Sequence, residues 1–388
     1  MSKLNLLLFS LLLALSDTQK NKDVEVLIKS IFNTSELPIY CGPQKVCVQR
    51  FLCDNGKIKR NGEDVFDIRI DTPSNGGNND DKCNNFLLAC CDISKITSDS
   101  FITYNPRTEN TGCGYRNRDG VGFRITGNEH NEAQFGEFPW MVAILKDIPA
   151  AGVNNRTYKC GGSLIAPTVV LTAAHCTINH TANTLIARAG EWDSKSELEV
   201  LPHQDRRVRE IIVHESFYYR ALLNDIALLI VESAFEFAEN IRPICLPAAD
   251  VTFDLARCYA TGWGRDKFEK EGIFQVILKK VELPVVPRSI CQANLRETRL
   301  SRHFELHESF ICAGGEEGKD TCEGDGGSPL VCPIIGQNDR YYQAGIVAWG
   351  IECGKANRPG VYASVAHFRP WINAKLTEKR LDISHFTP

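Results

Sequence analysis

No charge of one sign dominates this 388-residue sequence: 44 basic side chains stand against 48 acidic ones, a formal net charge of -4. That balance removes any electrostatic case for binding nucleic acid or for a polybasic membrane anchor. Beyond the N-terminus no stretch reaches about 18 consecutive apolar residues, so no membrane-spanning helix is expected. The apolar poverty of a disordered chain is missing too, because 43% of the residues are hydrophobic. Histidine is absent between Cys41 and Cys91, which disfavours a zinc site in that cysteine-rich block.

Cysteine is what the sequence has in quantity, 16 in all, and its distribution is uneven. The length suggests two or three domains with ample material for a packed core. Cys41, Cys47, Cys53, Cys83, Cys90 and Cys91 are crowded at roughly 12%, the density of a small disulfide-built module. The rest, from Cys113 to Cys353, are sparse enough to staple a domain that owns a core. Met1-Ser-Lys3 followed by the apolar run Leu4 to Leu15, with Ala14 and Ser16 before Asp17, makes residues 1–16 a secretory signal peptide rather than an amphipathic helix. Asn33, Asn155 and Asn179 stand in Asn-x-Ser/Thr acceptors for glycosylation. A secreted chain keeps its cysteines oxidised.

The six N-terminal cysteines allow about 15 pairings. The vicinal Cys90 and Cys91 are expected each to reach back to an earlier partner, because a bond between them is strained. Residues 71–81, rich in Asn, Asp and Gly, read as an exposed loop. No nucleophile or base stands in a recognisable setting here, so the module is expected to bind, with a plain spacer as the alternative. Over residues 38–95, six cysteines ending in a vicinal pair upstream of a protease-like domain resemble an arthropod clip domain. The resemblance implies the pairs Cys41–Cys90, Cys47–Cys83 and Cys53–Cys91.

From Ile125 onward short apolar runs alternate with turn residues: Met141 to Leu145, Ser163 to Ile165, Val169 to Thr172, Ile226 to Ile230 and Gly345 to Trp349. Such spacing predicts a β-sandwich or barrel, and residues 368–379 read as one terminal helix. Five motifs follow in order: Gly136-Glu-Phe-Pro-Trp140, Leu171-Thr-Ala-Ala-His-Cys176, Asn224-Asp-Ile-Ala-Leu-Leu229, Thr261-Gly-Trp-Gly264 and Cys322-Glu-Gly-Asp-Gly-Gly-Ser-Pro-Leu330. Together they resemble the chymotrypsin-like serine proteases over residues 125–380. The fold this implies is all-β: a chymotrypsin-like double β-barrel with a C-terminal helix, preceded by the clip domain and a linker, residues 96–124.

The resemblance makes His175 the base and Asp225 its partner, but the position of the nucleophile holds Gly326. Acyl transfer needs an oxygen within about 2.6–3.2 Å of the imidazole, which glycine does not offer. Ser328 is a poor substitute, since two residues of extended chain span about 7 Å. His175 and Asp225 are then expected to persist as a buried hydrogen-bonded pair, without catalysis. Ala348 replaces the serine usual before Trp349-Gly350. The specificity pocket implied by Asp320, Trp349, Gly350 and Gly360 is better kept, and its carboxylate suits a basic side chain; an inherited, filled pocket is the plainer alternative.

The family is processed after a basic residue, which points to Arg124-Ile125, although Ile125-Thr-Gly-Asn128 departs from the usual Ile-Val-Gly-Gly. Arg50 and Arg60 are alternative sites. Nine cysteines follow Ile125, an odd number, so Cys113 is needed to complete the set. By resemblance it pairs with Cys245, tethering the halves after a cut; the other implied pairs are Cys160–Cys176, Cys258–Cys332, Cys291–Cys312 and Cys322–Cys353. Glu191, Asp193 and Glu199 lie in a loop that binds calcium in many relatives, although a solvated acidic loop is the simpler account. No other cofactor is implied.

The whole architecture resembles the clip-domain serine protease homologues of arthropods, of the masquerade-like group. That implies a secreted, non-catalytic haemolymph protein that is cut by upstream clip-domain proteases, oligomerises after processing and promotes prophenoloxidase activation in melanisation and immunity. An active trypsin-like endopeptidase and an adhesion or decoy protein are the alternatives.

Overall fold

The computed structural model describes residues 40–42, 45–49, 53–54, 57–58, 83, 88–92, 112–121, 131–150, 153–195, 199, 201–264, 275–321, 324–351 and 354–388. The chain forms two compact units, Met1–Asn105 and Pro106–Pro388.

In the first unit, β1 (Tyr40–Gly42), β2 (Lys45–Gln49), β3 (Cys53–Asp54), β4 (Lys57–Ile58) and β5 (Leu88–Asp92) form one sheet in the order β1-β2-β5-β4-β3. The central pair is antiparallel, with Cys47 opposite Cys90 and Val46 opposite Cys91. Successive strand residues face opposite sides of a sheet, so the vicinal cysteines point apart and bond separately. Cys90 bonds Cys41, and Cys47 bonds Cys83. Cys91 is fully buried and also disulfide-bonded. The side chain of Cys53, and with it the pairing implied with Cys91, is not described, and the 71–81 loop, Asn33 and residues 1–16 fall outside the described residues. Cys41 and Cys83 are buried as well, so disulfide sulfur lies in the interior of this unit.

The second unit holds two closed six-stranded barrels. The first is ordered β10-β11-β8-β7-β6-β9, from β6 (Met141–Ala150), β7 (Val153–Ala166), β8 (Val169–Thr172), β9 (Leu185–Ala189), β10 (Gln204–Val213) and β11 (Ala227–Val231). The second is ordered β12-β13-β14-β17-β16-β15, from β12 (Arg257–Gly262), β13 (Lys279–Val286), β14 (Phe310–Gly314), β15 (Pro329–Pro333), β16 (Tyr341–Trp349) and β17 (Pro359–Ser364). Strands β8, β11 and β17 are buried at every position, which explains why β8 and β11 read as apolar runs in place of alternation. Closure removes the strand edges that an open sheet would expose.

Among the described residues two α-helices lie outside the barrels. Helix α1 (Arg288–Arg296) buries Cys291 and Leu295 and is stapled to β14 by Cys291–Cys312. Helix α2 (Val365–Glu378) starts three residues before the predicted 368, because Ser364 caps it by accepting a bond from the His367 amide. Two stretches beyond the predicted domain limits also pack on this unit. Gly112–Val121 is bonded to it by Cys113–Cys245, and Phe386 is fully buried near the C-terminus. Among the described residues no helix is long and apolar enough to cross a membrane.

Candidate functional site

Strand β8 ends at Thr172, and the single 3-10 turn Ala174–Cys176 that follows delivers His175. The turn is pinned by the Cys160–Cys176 disulfide and by Thr177 Oγ1 donating to the Ala174 carbonyl at 2.9 Å. Asp225 precedes β11 and is fully buried. Its Oδ1 accepts the backbone N–H of His175 at 2.8 Å, and its Oδ2 lies 2.6 Å from His175 Nδ1. One carboxylate therefore fixes both the main chain and the ring of the histidine. Nδ1 is spoken for, and Nε2 is left facing the loop that leads into β15.

That loop carries Gly326, whose carbonyl accepts from Gly161 N–H at 2.9 Å. A Cβ built on Gly326 would lie 2.7 Å from His175 Nε2. Residue 326 thus occupies the position from which a side chain would meet the imidazole, and it supplies no atom to react. Ser328 does not replace it. The residue is fully buried, and its Oγ fills the gap left by a glycine on β7: a Cβ on Gly161 would sit 1.9 Å from that oxygen. Ser328 Oγ has no hydrogen-bond partner among the described residues, His175 included. The nearby Tyr158 hydroxyl donates instead to the Gly324 carbonyl at 3.1 Å.

Asp320 lies at the edge of β17, with its Oδ1 3.2 Å from where a Gly360 Cβ would stand. Its carboxylate accepts the Thr321 amide at 2.8 Å and the Gly354 amide at 3.2 Å. Burial nonetheless pushes its pKa up to about 7, with the Asp325 charge adding to the shift. Gly350 leaves open space where a side chain would stand. Trp349 packs edge-on against Phe304 and Phe310, at 6.2 and 5.9 Å between ring centroids. Ala348, the departure beside it, is buried at 8% exposure and brings no hydroxyl. Asp325 is turned toward the end of β12, and its Oδ1 accepts the amide of Gly264, two residues beyond that strand, at 2.9 Å.

Two barrels with a His-Asp pair and a glycine-lined loop meeting between them are matched by known families. The family profile described as Trypsin matches residues 128–372, and that described as Serine protease Clip domain PPAF-2 matches residues 38–92. The chain belongs to the trypsin family, with an N-terminal clip domain. It is 53% identical over 295 residues to phenoloxidase-activating factor 2 of Galleria mellonella, covering 74% of this chain and 97% of the relative. It is 40% identical to inactive CLIP domain-containing serine protease A8 of Anopheles gambiae, covering 86% and 89% of the two chains. Protein masquerade of Drosophila melanogaster is 35% identical over 262 residues, 66% of this chain and 24% of that longer protein. The chain is accordingly a clip-domain serine protease homologue, and relatives named as inactive stand among those it matches.

The acidic loop of this trypsin-family domain differs from its predicted arrangement. Glu191 and Glu199 come together with His203, their ligand-type atoms all within 4.8 Å of one another. Asp193 does not join them: its Oδ1 accepts the Lys195 amide at 3.0 Å. Glu199 Oε1 accepts the Trp192 and Asp193 amides at 2.8 and 2.9 Å, while Oε2 is buried without a hydrogen-bond partner among the described residues. Burial and the Glu191 charge raise the Glu199 pKa well above the ordinary value. Arg188 already neutralises Glu191 at 3.0 Å. Two carboxylates fit a calcium ion, whereas the imidazole and the guanidinium do not.

The remaining predicted residues are placed as follows. Disulfides join Cys113–Cys245, Cys160–Cys176, Cys258–Cys332 and Cys291–Cys312. Arg124, Ile125, Cys322 and Cys353 fall outside the described residues. Asn155 is in β7, its side chain likewise undescribed, and Asn179 is exposed in a turn at φ 65°. Sequence reasoning gave the Cys113–Cys245 tether but missed the docking of the rest of Gly112–Val121, for which Arg116 was the one local signal.

Proposed function

We propose that this chain is a secreted, non-catalytic haemolymph protein that is cut after Arg124 and then acts as a binding cofactor in a protease cascade, promoting prophenoloxidase activation. The observation that carries the reading is the vacancy of chemistry at Gly326: His175 and Asp225 are aligned, and among the described residues no oxygen forms a hydrogen bond with Nε2. A general base without a nucleophile transfers no acyl group, so the cleft serves recognition. The Asp320 pocket suits a basic side chain of a cascade protease or of prophenoloxidase, held without being cut. The relative named phenoloxidase-activating factor 2, matched along almost its whole length, supports the choice of cascade.

Reconstitution tests this directly. Prophenoloxidase and an activating protease are combined with and without the processed protein, and phenoloxidase activity is followed. Activity dependent on this chain, undiminished in the Ser328→Ala variant, is the expected result; equal activity without it removes the cofactor role. Size measurement before and after the cut tests oligomerisation upon processing. Calcium at Glu191 and Glu199 is a subsidiary proposal, checked by whether Ca²⁺ raises the melting temperature and Glu199→Gln abolishes the rise.

A further inference from the structure

The segment Gly112–Val121 is held by far more than its disulfide. Gly114 donates to the Pro243 carbonyl and accepts from the Tyr341 amide, each at 2.8 Å, and Arg340 Nε reaches the Cys113 carbonyl at 2.9 Å. Asn117 Nδ2 donates to the carbonyls of Gly136 and Glu239 at 2.8 and 2.9 Å. At the centre is Arg116, only 8% exposed, against a Glu137 that is wholly buried. Its Nε and Nη2 both donate to Glu137 Oε1, at 3.0 and 2.5 Å, and its Nη1 donates to the Tyr341 hydroxyl at 3.0 Å. The guanidinium carbon lies 4.2 Å from the Tyr259 ring centroid, 5.0 Å from Phe138 and 5.7 Å from Tyr341. The carboxylate is completed by the Gln134 amide at 2.7 Å and by Lys280 Nζ at 2.8 Å.

A planar cation with forked donors, seated on aromatic faces and facing a desolvated carboxylate, is how a protein binds an arginine ligand. The socket shares no residue with the Asp320 pocket. We propose that the protease-like domain carries an arginine-binding socket, formed by Glu137, Tyr341, Tyr259 and Phe138, that retains the Arg116 segment by non-covalent recognition after the chain is cut downstream of it. A processed chain then stays in one piece even when Cys113–Cys245 is reduced. The inference rests on the chain being processed C-terminal to Arg116, and an engineered cut separates the two questions.

A recognition sequence for a site-specific protease is placed between Arg124 and Ile125 of the full chain, in a Cys113→Ser/Cys245→Ser background. After cutting, the two fragments are expected to co-elute in size exclusion. Arg116→Ala is expected to weaken their association by on the order of a hundredfold, since it leaves a buried carboxylate short of a partner. Arg116→Lys should fall between, lacking the fork. Fragments that separate with Arg116 intact and the protease-like fragment still cooperatively folded overturn the proposal; so does Arg116→Ala binding as tightly as its parent. Amide exchange over residues 112–121 in the disulfide-intact, cut protein gives a second readout if the serine background does not fold. Protection lost on Arg116→Ala supports the socket, and unchanged protection refutes it.

Discussion

His175 stands where a side chain on residue 326 would have to go: a Cβ built on Gly326 lies 2.7 Å from Nε2 and 3.3 Å from Cε1 of the ring. The ring cannot retreat freely, because Asp225 holds its Nδ1 at 2.6 Å and its backbone amide at 2.8 Å. Gly326→Ala is therefore expected to cost about 1–3 kcal/mol through overpacking. In a His175→Ala background that cost should largely vanish, a coupling that urea denaturation of the double-mutant cycle reads.

The same crowding limits repair of the active site. Gly326→Ser supplies the oxygen but forces the imidazole off its Asp225 bond or the hydroxyl out of its reach. Hydrolysis of an arginine ester by this variant is expected to stay at background, and turnover typical of an active protease would refute the argument.

Ser328 offers the complementary test. Its hydroxyl is buried with no partner among the described residues, so Ser328→Ala removes a desolvated polar atom rather than a bond. The variant is expected to gain up to about 1 kcal/mol, and labelling by a serine-directed fluorophosphonate should be equally absent before and after. Labelling of the parent lost on Ser328→Ala would make this residue a nucleophile.

How much was readable in advance follows the range of the interactions. The barrels were legible because the apolar runs of β6, β7, β8, β11 and β16 stand between turn residues, and the His175-Asp225 pair because each sits in a contiguous motif. Arg116 was not, since its partners Glu137, Tyr259 and Tyr341 lie up to 225 residues away and a lone arginine in a linker carries no local pattern. Asp193 was misplaced for a related reason: local density of carboxylates does not say which of them turns to a neighbouring amide. The start of α2 depended on a single cap, Ser364, invisible to apolar periodicity.

The buried pair itself is expected to hold the site's shape although it catalyses nothing. Asp225→Ala leaves the His175 amide and ring without their shared acceptor, which is itself fully buried. A loss of about 3–5 kcal/mol is expected by analogy with other broken buried pairs, against a smaller loss for His175→Ala, whose ring is partly exposed. Equal losses would mean that Asp225 supports the turn no more than the ring does.

Asp320 gives the pocket a pH dependence. Its folded-state pKa of about 7 lies above the ordinary 3.8 because burial opposes the charge, so the native state holds a proton that the unfolded chain has released. The sign follows from linkage: the native state's advantage is complete below the unfolded pKa and is lost as pH rises through about 7. Asp320→Asn, which keeps the shape without the charge, should therefore raise the melting temperature at pH 8 and do little at pH 4. A basic ligand reverses the preference, since it needs the carboxylate ionised. Benzamidine affinity is expected to rise about tenfold between pH 6 and 8 as the ionised fraction climbs, and to disappear in Asp320→Asn. Affinity that is flat across this range would mean that the pocket floor is already charged at pH 6, or that the ligand binds elsewhere; the Asp320→Asn variant distinguishes the two, because only the first predicts that its binding is lost.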